Sequence, residues 1–367
     1  MLSVSSPLYD INKTFEENFS NFSFSSVNIP IRSWPAKTKW SSLLGYPLAS
    51  RIGAAACPVT TGKGIVLLAQ LGFDVLTYKT IRRQAHAPHP LPNIVHINRD
   101  QLLDYSDLEQ AVYVDDKPQK TVDKIAISNS FGNACLESAR VKEDIALTKK
   151  SLSEGQVLIV SVYGEGASLE SMSQDFAAAA LIAKESGADI IELNLSCPNL
   201  LKSGEPLYWN AECVYEITKQ VVKSVADIPI LIKLGLMRER DFLHKLLMAA
   251  ARAGARGISA INSISMRVLD RMELPVFGQR IYSGVSGYPI RKLAVQCIEK
   301  LAHINQKEKL DLVILGMGGI TLPEHFNEFF NVGADIALSA TGMMWNPYLA
   351  YQFHQQMKKR KKEYQRA

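Results

Sequence analysis

Eight short apolar runs recur along the chain, separated by longer stretches of helical character, and this alternation limits the fold more than any other feature. The runs are RIGAAAC (51–57), FDVLTYKT (73–80), VLIVSVYG (157–164), DIIELNLSC (189–197), PILIKLG (229–235), GISAINS (257–263), DLVILGMGG (311–319) and ADIALSAT (334–341). Most are continuously apolar, as parallel strands covered by helices are, and patterns such as DFAAAALIAKESG and DFLHKLLMAAARAG separate several of them. This order predicts an α/β chain folded as a (β/α)8 TIM barrel. A ninth run, KIAISNS (124–130), keeps a doubly wound open sheet in play. Polar placement favours the barrel: Lys79, Asn194, Lys233, Asn262, the Gly318-Gly319 pair and Thr341 all fall at or just past the C-terminal ends of different strands. In a barrel those ends converge on one face.

Composition excludes several classes of function. A chain of 367 residues, 47% hydrophobic and 21% charged, can bury a large core. Its N-terminus carries acids and amides where a signal peptide needs a basic start and an apolar stretch, and the longest apolar run, Phe176 to Ala183, is too short to span a membrane. A cytoplasmic protein is expected. The five cysteines (Cys57, Cys135, Cys197, Cys213, Cys297) form no C-x-x-C pair, and the seven histidines form no H-E-x-x-H, so no metal site is expected. Part of the net charge of +5 lies in Lys358, Lys359, Arg360, Lys361 and Lys362, which read as a solvated helix end because no aromatic residues interleave them.

The strand ends suggest a ligand. In LGMGGITLPEHF two glycines follow a strand, Thr321 and Glu324 have the spacing of a capping box, and Pro323 suits a first helical turn. Backbone N–H groups at such a helix start suit a phosphate. Ala340-Thr341-Gly342 at the last strand and the small-residue turn GVSG (284–287) add to this. Lys79 and Lys233, on strands, must reach the barrel mouth or be paired, since an unpaired buried ammonium is costly. Two such lysines beside a phosphate site suggest a large anionic or electron-accepting ligand, and a reduced flavin ring needs a cationic partner of this kind.

These motifs resemble the dihydroorotate dehydrogenase family, FMN-dependent barrels that oxidise dihydroorotate to orotate in pyrimidine synthesis. The resemblance covers most of residues 47–352 through GAAAC-P, TYKT, NSFG, ELNLSCPN, IKLG, INS, GVSG, GMGGI and SATGMMWNP. NLSCPN, with its cysteine, is similar to the soluble class; the membrane-associated class has serine there. The resemblance implies that Cys197 is the base that removes the C5 proton while the C6 hydride passes to flavin N5. It implies flavin contacts for Ala55, Ala56, Lys79, Thr80, Asn129, Asn194 and Lys233, and phosphate contacts for Gly287, Gly318, Gly319, Ala340 and Thr341. Substrate contacts would come from Lys79, Asn129, Gly132, Asn133, Asn194, Asn199, Asn262 and Ser263. KIAISNS would be a segment folded over the mouth, within a connection (81–150) that covers the active site, and not a barrel strand. The domain reading is therefore an extension (1–46), an FMN-binding barrel (47–352) and a basic tail (353–367). Association into a homodimer or larger assembly is also implied.

The chemistry suits the residues. Asparagines offer uncharged donors and acceptors to a planar ring of amide-like groups. A thiol with an ordinary pKa of about 8.5 serves as a base where positive charge or hydrogen bonds favour the thiolate. Two departures from the family pattern stand out. Cys57-Pro58 places a side chain where the backbone approaches the flavin, and NSFGNAC ends in Asn133, Ala134 and Cys135 where the family has a proline and a polar residue. The histidines of HAPHPLPN (86–93) read as structural. A reductase of another dihydropyrimidine, including dihydrouridine in RNA, and a non-catalytic FMN- or phosphate-binding barrel are the alternatives. The electron acceptor is open between fumarate, a quinone and a partner subunit, because the chain has no nucleotide-binding G-x-G-x-x-G unit or cluster cysteines of its own.

Overall fold

The computed structural model describes residues 7–22, 27–116, 121–196 and 206–364. All eight expected runs form strands: β1 (Ile52–Ala54), β2 (Val75–Ile81), β3 (Val157–Val162), β4 (Ile190–Asn194), β5 (Ile230–Leu234), β6 (Gly257–Ala260), β7 (Val313–Met317) and β8 (Ile336–Ser339). They pair in parallel in chain order, and β8 returns to β1 through Ala337↔Ile52 to Ser339↔Ala54, closing the barrel. Closure leaves no free sheet edge. The strands are apolar throughout because the layer around them is helical: α1 (Gly62–Gln70), α2 (Ser138–Ser151), α3 (Leu169–Glu185), α4 (Ala211–Val225), α5 (Arg240–Arg252), α6 (Arg291–Glu308), α7 (His325–Asn331), α8 (Thr341–Trp345) and α9 (Leu349–Tyr364). The floor of the barrel is sealed by the hairpin Ser41–Leu43/Tyr46–Leu48, whose Leu43 and Leu48 pack with Val75, Val157, Ile159 and Ile190.

A second, five-stranded sheet holds the ninth run. Ala126–Asn129 pairs antiparallel with both Ile94–His96 and Tyr282–Gly287, and the sheet continues through Ile264–Leu269 to Ala111–Tyr113. The open nine-stranded alternative is thus excluded. GVSG is the end of the strand Tyr282–Gly287 and not a turn: its backbone pairs with Asn129 to Ala126, and only Gly287 leaves the extended region, at φ +90°. The covering sheet is built from two insertions, one after β2 and one after β6, of which the second carried no signal of its own.

Both chain ends dock on the barrel. Leu8 N–H donates to the Met344 carbonyl at 2.8 Å, and Tyr9 meets the Phe131 ring edge-on at 5.8 Å. The helix Phe15–Ser20, capped by Thr14 and Glu17, follows. At the other end α9 begins before the basic residues, packs Phe353 on Phe326 at 5.3 Å, and places His354 Nε2 2.9 Å from the Gly72 carbonyl. No helix among the described residues is long and apolar enough to cross a membrane.

Candidate active site

The strand ends and the covering sheet enclose one cleft. Its wall contains Ala55, Ala56, Asn129, Lys233, Asn262, Ser263, Gly287, Gly318, Gly319, Ala340 and Thr341, eleven of the expected site residues from five strand ends and the sheet above them. Gly318 and Gly319, at φ +131° and +71°, turn the chain beside the first residue of α6; a Cβ on Gly319 would lie 2.6 Å from that of Arg291. Only glycine allows this approach. Across from them Thr341 Oγ1 donates to Ser286 Oγ at 3.1 Å, so two hydroxyls and a glycine turn share one end of the cleft.

The expected capping box at Thr321 does not form. Thr321 Oγ1 donates to the Asp123 carbonyl at 2.8 Å, and α7 starts later, with Glu324 as its N-cap and no side-chain cap. His325 instead takes the free amides: its Nδ1 accepts from Thr321 N (3.3 Å) and Leu322 N (3.1 Å) and faces Arg291 Nη1 at 3.2 Å. Burial first, and then the Arg291 charge, push this imidazole down to about 3. A neutral ring therefore occupies the amides that the sequence assigned to a phosphate, which leaves the glycine pair and the hydroxyls of Ser286 and Thr341 facing the cleft.

Lys233 reaches the same cleft from inside the barrel. It is paired with Glu192 of the neighbouring strand at 3.7 Å, with both side chains essentially buried, and Glu192 Oε2 accepts from Ser259 Oγ at 2.6 Å. Asn262 Nδ2 donates to Ser196 Oγ, which donates to Asn194 Oδ1 at 2.7 Å. Asn194 Nδ2 continues to Thr80 Oγ1 at 3.3 Å, and Thr80 meets Ser161 at 3.0 Å. This chain of uncharged groups links the ends of β6, β4 and β2.

Several expected residues lie elsewhere. Lys79 and Thr80 face a small adjoining pocket with Phe15, Phe19, Ala134 and Cys135. Lys79 Nζ donates to the Ala134 carbonyl at 3.0 Å and sits 4.5 Å from the Phe15 ring centre. An ammonium on a strand next to an aromatic face and a carbonyl is drawn there by both. Asn194 touches the cleft through Ser196 and Asn262 and is not part of its wall. Gly132 and Asn133 lie in the loop above, both at positive φ. His89 holds that loop: its N–H donates to the Phe131 carbonyl at 3.1 Å, its Nδ1 lies 3.2 Å from Ser130 Oγ, and its ring lies against Gly132. His86 bridges Cys135 by two backbone bonds. These are structural roles. Cys197 and Asn199 lie outside the described residues.

Glu192, Ser259, Ser196, Ser286 and His325 join the site without having been marked as site residues by the sequence. Glu192 had a visible signal, an acid inside an otherwise apolar strand. Ser259 and Ser286 depend on partners far away in the chain, Ser196 on Asn262 as well as nearby Asn194, and His325 on amides only three and four residues before it. The described cysteines are free thiols, and no group of three or more metal-ligating side chains occurs among the described residues.

The donor set suits FMN. A flavin mononucleotide needs an anion-accepting end, a flat apolar slot and a cation near the ring. Here the glycine turn with Ser286 and Thr341, the small Ala55 and Ala56 with Ile261 and Met317, and Lys233 supply these in turn. Cys57 also faces the cleft, its backbone closed into a turn by the Thr60 hydroxyl.

Comparison with known proteins identifies the family. Residues 40–360 match the family described as Dihydroorotate dehydrogenase. Among curated proteins, the chain is 38% identical over 360 residues to a dihydroorotate dehydrogenase of Dictyostelium discoideum, covering 96% of this chain and 97% of that one. It is 36% identical over 159 residues to the catalytic subunit of a dihydroorotate dehydrogenase B (NAD(+)) of Caldicellulosiruptor saccharolyticus (43% of this chain, 50% of the relative). The corresponding subunit of Pyrococcus abyssi is 33% identical over 180 residues, covering 48% and 54%. With a closed eight-stranded barrel, a cleft at its strand ends and a match that runs nearly the length of the chain, the protein belongs to the dihydroorotate dehydrogenase family.

Proposed function

We propose that this chain oxidises dihydroorotate to orotate with FMN bound in the cleft and Cys197 as the base. The observation that carries this reading is the convergence of Lys233, Asn129, Asn262, Ser263, the glycine pair and Thr341 on one cleft in a member of this family. Gly287, Gly318, Gly319, Ala340, Thr341 and Ser286 would hold the FMN phosphate; Ala55, Ala56 and Lys233 would hold the ring. When bound, FMN supplies a two-electron acceptor for the hydride leaving C6 of the substrate.

The chain's own part is proton removal and orientation. The Cys197 thiolate takes the C5 proton and becomes a thiol, so that the electron pair of the broken C5–H bond forms the new ring double bond as the hydride departs. Asn129 and Asn262 orient the ring, because each amide offers one donor and one acceptor and carries no charge that would have to be desolvated. The Asn262–Ser196–Asn194 chain holds the segment entering Cys197, since Ser196 is its direct neighbour. Asn199, Gly132 and Asn133 belong to the two loops that complete the substrate site in this reading. In this reading Lys79 would supply a cation for the substrate carboxylate, giving up its contact with the Ala134 carbonyl to do so.

The test is anaerobic addition of dihydroorotate to the flavin-loaded protein. Bleaching of the flavin absorbance is expected, slowed by Cys197→Ser at neutral pH and nearly abolished by Cys197→Ala with flavin still bound. No bleaching of the parent protein would sink the activity, and unchanged rates in both variants would remove Cys197 from it.

A further inference from the structure

Glu192 lies in the layer of the barrel directly beneath the cleft. It is on β4, Lys233 on β5 and Ser259 on β6, so three adjacent strands each send one polar side chain into the barrel interior at this level. The two carboxylate oxygens differ. Oε2 accepts from Ser259 at 2.6 Å, whereas Oε1, fully buried, has no hydrogen-bond partner among the described residues and faces Lys233 Nζ at 3.7 Å. That separation suits an ion pair and is too long for a direct hydrogen bond. Lys233 is therefore drawn to Glu192 by charge alone, leaving its N–H donors to be directed into the cleft it lines.

We infer that Glu192 is a positioning residue that sets the effective charge Lys233 presents to the cofactor, and through it the cofactor's reduction potential. Two-electron reduction of the flavin puts negative charge on the ring, which a nearby cation stabilises relative to the oxidised form. A buried carboxylate beside that cation offsets part of its field, because the interior screens the pair weakly. The ammonium is anchored on its strand by the carboxylate, and its field on the cleft is partly offset by it. Removing the carboxylate while keeping its shape leaves a net positive charge in the same place.

This rests on the reading of the cleft as the FMN site. The experiment is equilibrium reduction of the holoenzyme against a reference dye, without substrate. Glu192→Gln is expected to bind reduced FMN about tenfold more tightly relative to oxidised FMN than the parent does, a positive shift of about 30 mV for two electrons. Ser259→Ala, which leaves both charges in place, is expected to shift the potential by less than a third of that. A fully flavinated Glu192→Gln with the parent's potential overturns the inference, as does a Ser259→Ala shift equal to that of Glu192→Gln, which would mark repacking instead of charge. Should glutamine not support folding, Glu192→Leu removes the same charge and is read in the same way. Parent protein that takes up no FMN would remove the cleft reading and this inference together, whereas a flavinated, unshifted variant removes only the inference.

Discussion

Cys57 stands in the cleft wall, and burial pushes its thiol up to about 11, against the pull of the Val59 and Thr60 backbone and of Lys233. A thiol of that kind is ionised to about one part in a thousand at pH 8, so it is a poor nucleophile and a poor base there. Its alkylation by iodoacetamide, followed by mass spectrometry, is expected to rise about tenfold per pH unit from pH 8 to 10; a plateau below pH 9.5 would contradict the burial. That is consistent with the proposed function, in which the base is the cysteine of NLSCPN. Lys233 carries the opposite expectation. Lys233→Met strands Glu192 as a buried charge, which costs on the order of 3–5 kcal/mol. Chemical unfolding is expected to show that loss together with depleted flavin, and Lys233→Met combined with Glu192→Gln is expected to recover most of the stability but not the flavin.

The loop 129–135 contributes Asn129 and Phe131 to the cleft, and its turn rests on positive φ at Gly132 and Asn133. Gly132 adopts φ +71°, and a Cβ there would lie 2.6 Å from His89 Nε2, in the ring that anchors the loop. Gly132→Ala must both occupy a left-handed conformation and displace that ring, the first of which alone costs about 1–2 kcal/mol. The variant is expected to raise the KM for dihydroorotate severalfold with flavin content unchanged, because Gly132 is in the loop and not in the wall assigned to the flavin in the proposed function; parallel loss of flavin would contradict this. Elements of this kind mark where the sequence was readable and where it was not. The eight barrel strands were legible because parallel strands covered by helices are continuously apolar, as VLIVSV in β3 is. The strands Ile264–Leu269 and Tyr282–Gly287 were not, since one face of each is exposed or partly so, the second is rich in glycine and serine, and its partner Asn129 is 155 residues from Gly284. The glycine turn at 318–319 was legible as a local signal. The capping box at Thr321 was misread because the winning acceptor, His325, takes amides that a helix start would otherwise expose. Cys197 could be read only through the motif around it, for the same thiol in isolation is a small packed residue.

Over the whole molecule, the C-terminal helix, the covering sheet and the barrel are tied together partly by buried and half-buried histidines, and this gives the fold a direction of pH sensitivity. His354 contacts the Gly72 carbonyl from α9, His96 packs edge-on against Trp345 at 5.5 Å, and His325 holds the turn after β7. All three are pushed below the usual imidazole value, burial being the largest cause in each, and His325 reaches about 3. A histidine held neutral in the fold and free to protonate when unfolded gives the unfolded state more bound protons between the two pKa values. Stability therefore rises with pH through that window and is lost as pH falls. For His325 the window runs from about 6.5 down to about 3, and two pH units within it correspond to roughly 3 kcal/mol. Carboxylates that lose partners on protonation act in the same sense, so the contribution of this ring has to be isolated by substitution. His325→Gln keeps an oxygen able to accept from Thr321 and Leu322 without titrating. Urea unfolding between pH 7 and 4.5 is expected to show a steep loss of stability in the parent and a slope shallower by about one proton in the variant. Parallel slopes would mean that His325 titrates alike in the folded and unfolded chains, and would remove it as the anchor of the turn beside the glycine pair.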